Sequence, residues 1–123
     1  MEEVLAYVAA GLVGLWGVAH AIPTRAVIAG FRGISADNRR VLAQEWLAEA
    51  VTMWSFATLV IVVTAVGSGT SAAHWTYRVT AGALLVLAVL TAFTGARTRV
   101  VWFKICPVLL TTAAMLLLVA GLP

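Results

Sequence analysis

Glu45 and Glu49 stand four residues apart in the run Ala43-Gln-Glu-Trp-Leu-Ala-Glu-Ala-Val51, with apolar residues beyond them. On a helix that spacing puts both carboxylates on one face, about 6 Å apart along the axis. Two carboxyls so close share protons unevenly, which suits a proton donor or shuttle. His20 closes an apolar run near the start of the chain, one turn before Arg25. If that run and the Glu45–Glu49 helix cross a membrane in opposite directions, His20 and the two carboxylates lie at similar depth. A His–Glu contact is then geometrically allowed, and the three groups together suit general acid–base chemistry. The competing readings are a helix-end histidine at an interface and a solvated or ion-paired Glu45, with Arg99 or Lys104 as its partner. Two Glu and one His could also ligate a metal. The second Glu-x-x-His element of di-metal bundles is missing, so no metal or other cofactor is expected. Trp16, Trp46 and Trp54 fall near the carboxylates. They read either as packing anchors or as the walls of an aromatic pocket that stabilises positive charge on a ligand or intermediate.

Those side chains need elements to hold them, and the composition says which. Of 123 residues, 63% are apolar and only 11% charged, with mean hydropathy +1.02. A soluble domain of this size carries about a quarter charged residues. There are too few charges to cover a water-facing surface, so lipid is the expected solvent. The apolar runs are long and do not alternate with period two, which favours helices over a barrel. The expected fold is a single all-α, integral membrane four-helix bundle, with spans at about residues 4–22, 41–66, 75–94 and 101–122.

The boundaries follow from local signals. Pro23 closes the first run. Ala19-His20-Ala21 mimics a leader cleavage site, but Met1-Glu2-Glu3 is acidic where a leader is basic, so the run is expected to remain a span. Residues Arg25 to Arg32 could lie flat at the interface as a short amphipathic turn. Ser35 or Asp37 is the expected cap of a helix over 36–66. That helix would be roughly 46 Å long, longer than a hydrocarbon slab of about 30 Å, so its first turns stand clear of the slab or the helix tilts. Gly67 to Ser71 reads as a loop, Gly95 as a break and Pro107 as a kink.

The basic residues are distributed unevenly. Arg25, Arg32, Arg39, Arg40, Arg97, Arg99 and Lys104 fall at one end of the expected bundle, and Arg78, Glu2 and Glu3 at the other. The positive-inside rule then gives an N-out, C-out orientation. It also accounts for the net charge of +3 without nucleic acid as a partner. Arg78 is expected to snorkel to the outer headgroups beside Trp75 and Tyr77. Trp75 and Trp102 sit where aromatic belts form. Cys106, the single cysteine, excludes an internal disulfide and reads as a small buried hydrophobe. Gly11, Gly14 and Gly17 form a small-residue series expected to serve close helix packing. No phosphate loop, Ser-His-Asp set or zinc motif is present.

A first span ending at Pro23, a loop with Asp37 and Arg39-Arg40, and Glu45-Trp46 opening a long second span resemble the small four-helix bacterial membrane proteins grouped around DoxX-like families. More distantly they resemble the EXPERA fold of sterol isomerases. The resemblance implies a multi-pass protein of the bacterial inner membrane. It also implies a buried acid, Glu49 or Glu45, that protonates a lipophilic alkene, with Trp54 as a cation-stabilising wall.

Two functions compete. One is a small membrane enzyme or binding protein for a lipophilic molecule, with His20, Glu45 and Glu49 as its polar centre and isomerisation, cyclisation or epoxide opening as its chemistry. The other is a non-catalytic accessory subunit or a proton-coupled transporter assembled as a homo-oligomer.

Overall fold

A computed structural model describes residues 1–122. The described residues form five α-helices and no strand: α1 (Glu2–Ala21), α2 (Thr24–Gly30), α3 (Ala36–Gly67), α4 (Ser71–Phe93) and α5 (Val101–Ala120), with a single 3-10 turn at Gly95–Arg97. Four of them, all but α2, are long and apolar enough to cross a membrane.

Each boundary has a local cause. Pro23 ends α1, and the Thr24 hydroxyl donates to the Ala21 carbonyl left free there. The segment expected to lie flat forms α2. Its carbonyls at Ile28 and Phe31 accept from the Arg39 guanidinium at 3.1 and 3.4 Å, which ties it to the start of α3. Gly33, at φ +75, makes the turn between them in a region that a Cβ disfavours. Ser35, not Asp37, caps α3 by accepting from the Asn38 N–H at 3.1 Å. Asp37 instead pairs with Arg40 at 3.0 Å on the exposed first turn. With 32 residues, α3 is about 48 Å long. The loop expected from Gly67 to Ser71 is shorter than its composition implies. Thr70 accepts from the Ala73 N–H at 3.2 Å and so starts α4 four residues before the expected Trp75. Helix α5 runs through Pro107 without interruption, and the missing N–H leaves the Phe103 carbonyl without its helical partner.

Helix α1 packs against α3 and α5, and α4 against α5, with a lighter contact between α3 and α4. The interior is rich in small residues: Ala6, Ala9 and Ala10 of α1, Ala57 of α3 and Ala113 and Ala114 of α5 belong to one buried cluster with Met53, Leu84 and Leu110. Large apolar side chains point outward instead, as with Leu15, Val66, Val86 and Val108. Two expectations change here. Tyr77, expected beside Arg78 near the outer headgroups, turns inward. It is fully buried, its oxygen 2.7 Å from the Thr64 hydroxyl, which in turn donates to the Val60 carbonyl at 2.6 Å. The Thr64 proton being spent, the Tyr77 hydroxyl is the donor across the α3–α4 contact. Arg78, expected to snorkel, is bonded to the end of α5. Its Nε and Nη2 donate to the Gly121 carbonyl at 3.0 and 2.6 Å, holding the end of α5, while the guanidinium lies 5.3 Å from the Trp75 ring centre.

The glycine series on α1 also divides. Residues at i, i+3 and i+6 fan over about 120° of a helix, so all three cannot face one neighbour. Gly11 faces open space, and Gly14 faces Ala57. A Cβ on Gly17 would sit 2.8 Å from Trp54 Nε1 and 3.2 Å from Met53 Cβ. Gly17→Ala is therefore expected to push α1 and α3 apart and cost about 1–3 kcal/mol. Gly11→Ala should be neutral or stabilising by up to about 1 kcal/mol through helix propensity. Unfolding of the two variants in mixed micelles compares them directly, and equal stability would count against this packing.

Candidate functional site

The site lies where α1 ends, α3 and α5 are in their first half, and α4 runs out at Phe93. His20 occupies the last turn of α1. Chain termination there frees carbonyls, and Trp46 of α3 takes one of them, its Nε1–H donating to the His20 carbonyl at 2.8 Å. The same indole stacks on the His20 imidazole, ring centres 4.1 Å apart and planes 14° from parallel. Its other side meets Phe103 of α5 edge-on at 6.0 Å. Trp46 thus fixes both the end of α1 and the orientation of its histidine.

Glu49 follows Trp46 by three residues on α3, close to one turn, and brings Oε2 to 3.4 Å from His20 Nε2. Their exposures differ: the imidazole side chain is 9% accessible and the carboxylate 34%. The separation permits charge pairing, but the atoms are not aligned as a hydrogen bond, so Nε2 has no hydrogen-bond partner. A buried imidazole beside a partly open carboxylate is an arrangement through which a proton can pass from outside to an enclosed group.

Both groups face a cavity of about 610 Å³. Its wall takes Trp16, Ala19 and His20 from α1, Val27 from α2, Trp46 and Glu49 from α3, and Thr91 from α4. Thr94, Gly95, Val100, Trp102, Phe103 and Cys106 complete the lining. Its size is that of a small-molecule site, typically about 300–1,000 Å³. The lining is almost wholly apolar and aromatic.

The sequence-derived residues separate on this geometry. His20, Glu49, Trp16 and Trp46 come together on the cavity wall. Glu45 does not join them. It is exposed, one turn nearer the start of α3, and among the described residues it pairs with neither Arg99 nor Lys104. Trp54 is also absent from the wall. Its Nε1–H donates to the Gly14 carbonyl at 3.2 Å and its ring lies over Gly17, which makes it a seal between α1 and α3. Among the described residues no three His, Cys, Asp or Glu side chains gather as a metal site.

Sequence reasoning missed the wall supplied by the α4–α5 turn. Trp102 was expected in a belt, and Cys106 only as a buried small residue. Cys106 is buried, at 5% exposure, and it also lines the cavity. The available signal was the close succession of Gly95, Trp102, Phe103 and Pro107, which marks a turn with aromatic residues directly after it. No protein-family model matches the chain, and no curated protein or solved structure matches it either.

Proposed function

We propose that this chain is a multi-pass protein of the bacterial inner membrane that binds a lipophilic small molecule in the cavity beside His20 and Glu49 and carries out acid–base chemistry on it. The observation that carries this reading is an apolar cavity of about 610 Å³ whose lining includes one carboxylate, set 3.4 Å from a buried imidazole. Apolar walls favour a lipophilic ligand, and the pair supplies the means to move a proton at it. Isomerisation, cyclisation and epoxide opening are the reactions that such a pair serves without a cofactor. In the EXPERA-like resemblance the acid is Glu49, because Glu45 lies outside the cavity.

The membrane assignment rests on the inverted packing. Alanines occupy the interior, and large apolar side chains cover the outside of all four long helices. In water, an apolar exterior on that scale would aggregate. The cavity end of the bundle holds Arg25, Arg32, Arg39, Arg40, Arg97, Arg99 and Lys104. The positive-inside rule sets that end in the cytoplasm and both termini outside. The ligand site then opens in the cytoplasmic half, and α3 projects its polar first turns beyond the slab.

The reading is tested by what the purified protein retains. Ala19 contributes only a methyl to the cavity wall, so Ala19→Phe places a ring in the ligand's space. Mass spectrometry of organic extracts is expected to find a lipophile with the wild-type protein that the variant lacks. Identical extracts holding only bilayer phospholipid would sink the proposal.

A further inference from the structure

Two connections between long helices contribute to the cavity wall, and they are held differently. The turn between α4 and α5 gives it Thr94, Gly95 and Val100 and packs on both of its helices; a Cβ on Gly95 would lie 3.4 Å from Phe103 Cβ. The connection between α1 and α3 gives it Pro23 and Val27 and contains α2, which packs chiefly on α3. An isolated helix shorter than about 12–15 residues is marginal, and α2 has 7. Its hold on the protein comes from two contacts. Arg39 donates to the Ile28 and Phe31 carbonyls at 3.1 and 3.4 Å, and the Ile28 side chain is buried. Arg39 is itself exposed, so water can take over those carbonyls when the guanidinium lets go.

Both ends of α2 permit a change of direction. Pro23 precedes it and has no amide N–H to bond back into α1, and Gly33 follows in the left-handed region. Between them Val27 lies on the cavity wall, while Arg25 and Arg32 are exposed. We propose that α2 is a lid on the cavity. Swinging between Pro23 and Gly33, it breaks the two Arg39 bonds, withdraws Val27 from the wall and opens a passage for the ligand. The movement strands no charge, because every arginine on or beside α2 is exposed in the closed position. Opening costs two hydrogen bonds and the burial of one aliphatic side chain, which keeps the open state a minor population in exchange with the closed one. The lid takes its purpose from the lipophile-site reading above and rests on it.

The test needs no ligand. Cys106 is the single cysteine, is buried and lines the cavity, so its alkylation reports opening of the cavity. The rate at which N-ethylmaleimide adds to the full chain in detergent is followed by intact mass, and thermal unfolding in the same detergent shows which variants are folded. Arg39→Ala removes both bonds at the end of α2 and is expected to raise the rate about tenfold, the worth of one hydrogen bond from a charged donor in an opening equilibrium. Ile28→Ala loosens the other hold and should raise it as well. Arg40→Ala breaks only the exposed pair with Asp37 and should leave the rate unchanged. Equal rates in the wild type and both lid variants, whether fast or undetectable, overturn the lid. Equal acceleration by Arg40→Ala also overturns it, since α3 would then be loosening as a whole. So does loss of the fold in both lid variants, which would make α2 a structural support. None of these results touches the lipophile site, which the extracts of wild type and Ala19→Phe judge separately.

Discussion

Glu49→Gln is expected to yield a folded protein whose turnover falls by a factor of about 10²–10⁴, the range that a positioned general acid or base contributes. The amide matches the carboxyl in size, so the cavity keeps its shape. The side chain is 34% exposed, so a neutral polar group is tolerated there. What disappears is the proton-exchanging group 3.4 Å from His20 Nε2. Ligand affinity should change far less than rate, because the rest of the wall is apolar and unaltered. Glu45→Gln is the internal control, since that carboxylate is exposed and outside the cavity. It should keep nearly full activity, in line with the solvated or ion-paired reading that the sequence offers for Glu45. Unimpaired turnover in Glu49→Gln would remove the acid–base role; equal losses in both variants would contradict the division between them.

The largest structural effect is expected from Trp46→Ala. One side chain stacks on His20 at 4.1 Å, meets Phe103 at 6.0 Å and donates to the His20 carbonyl at 2.8 Å. Truncating a large aromatic of this kind costs about 3 kcal/mol or more. The imidazole loses its stacking surface, so ligand binding should fail together with stability. Trp46→Phe separates the two contributions. It keeps an aromatic face for His20 but loses the bond that closes α1, which should cost about 1 kcal/mol. Unfolding in mixed micelles measures stability, and ligand retention reports on the cavity. A fully stable Trp46→Ala protein would show that this junction does not hold α1 to α3.

Most of the helical layout could be read from the chain, because its determinants are local. Pro23 ends one helix wherever the rest of the protein lies, and Ser35 begins another. Long apolar runs mark the four long helices, and the uneven distribution of arginine identifies the two ends of the bundle. The residues within reach of the site were legible for the same reason: a polar group in an apolar run stands out, as His20 and Glu49 do.

Which face of each helix turns inward was not legible. A helix that is apolar all round carries no polar stripe to mark its exposed side. Its rotation is set by the fit of small residues against neighbours distant in sequence, such as Ala9 and Gly17 of α1 against α3 and α5. That rotation brings His20 to Glu49, leaves Glu45 exposed and off the cavity wall, and sets Trp54 over Gly17. The start of α5 also joins the wall, with Trp102, Phe103 and Cys106 lining the cavity. The sequence by itself determined that this chain is a set of apolar helices with a few acid–base groups near one end. Only the tertiary structure decided which of those groups meet, because their meeting depends on side-chain volumes at helix contacts and not on any property local to the groups themselves.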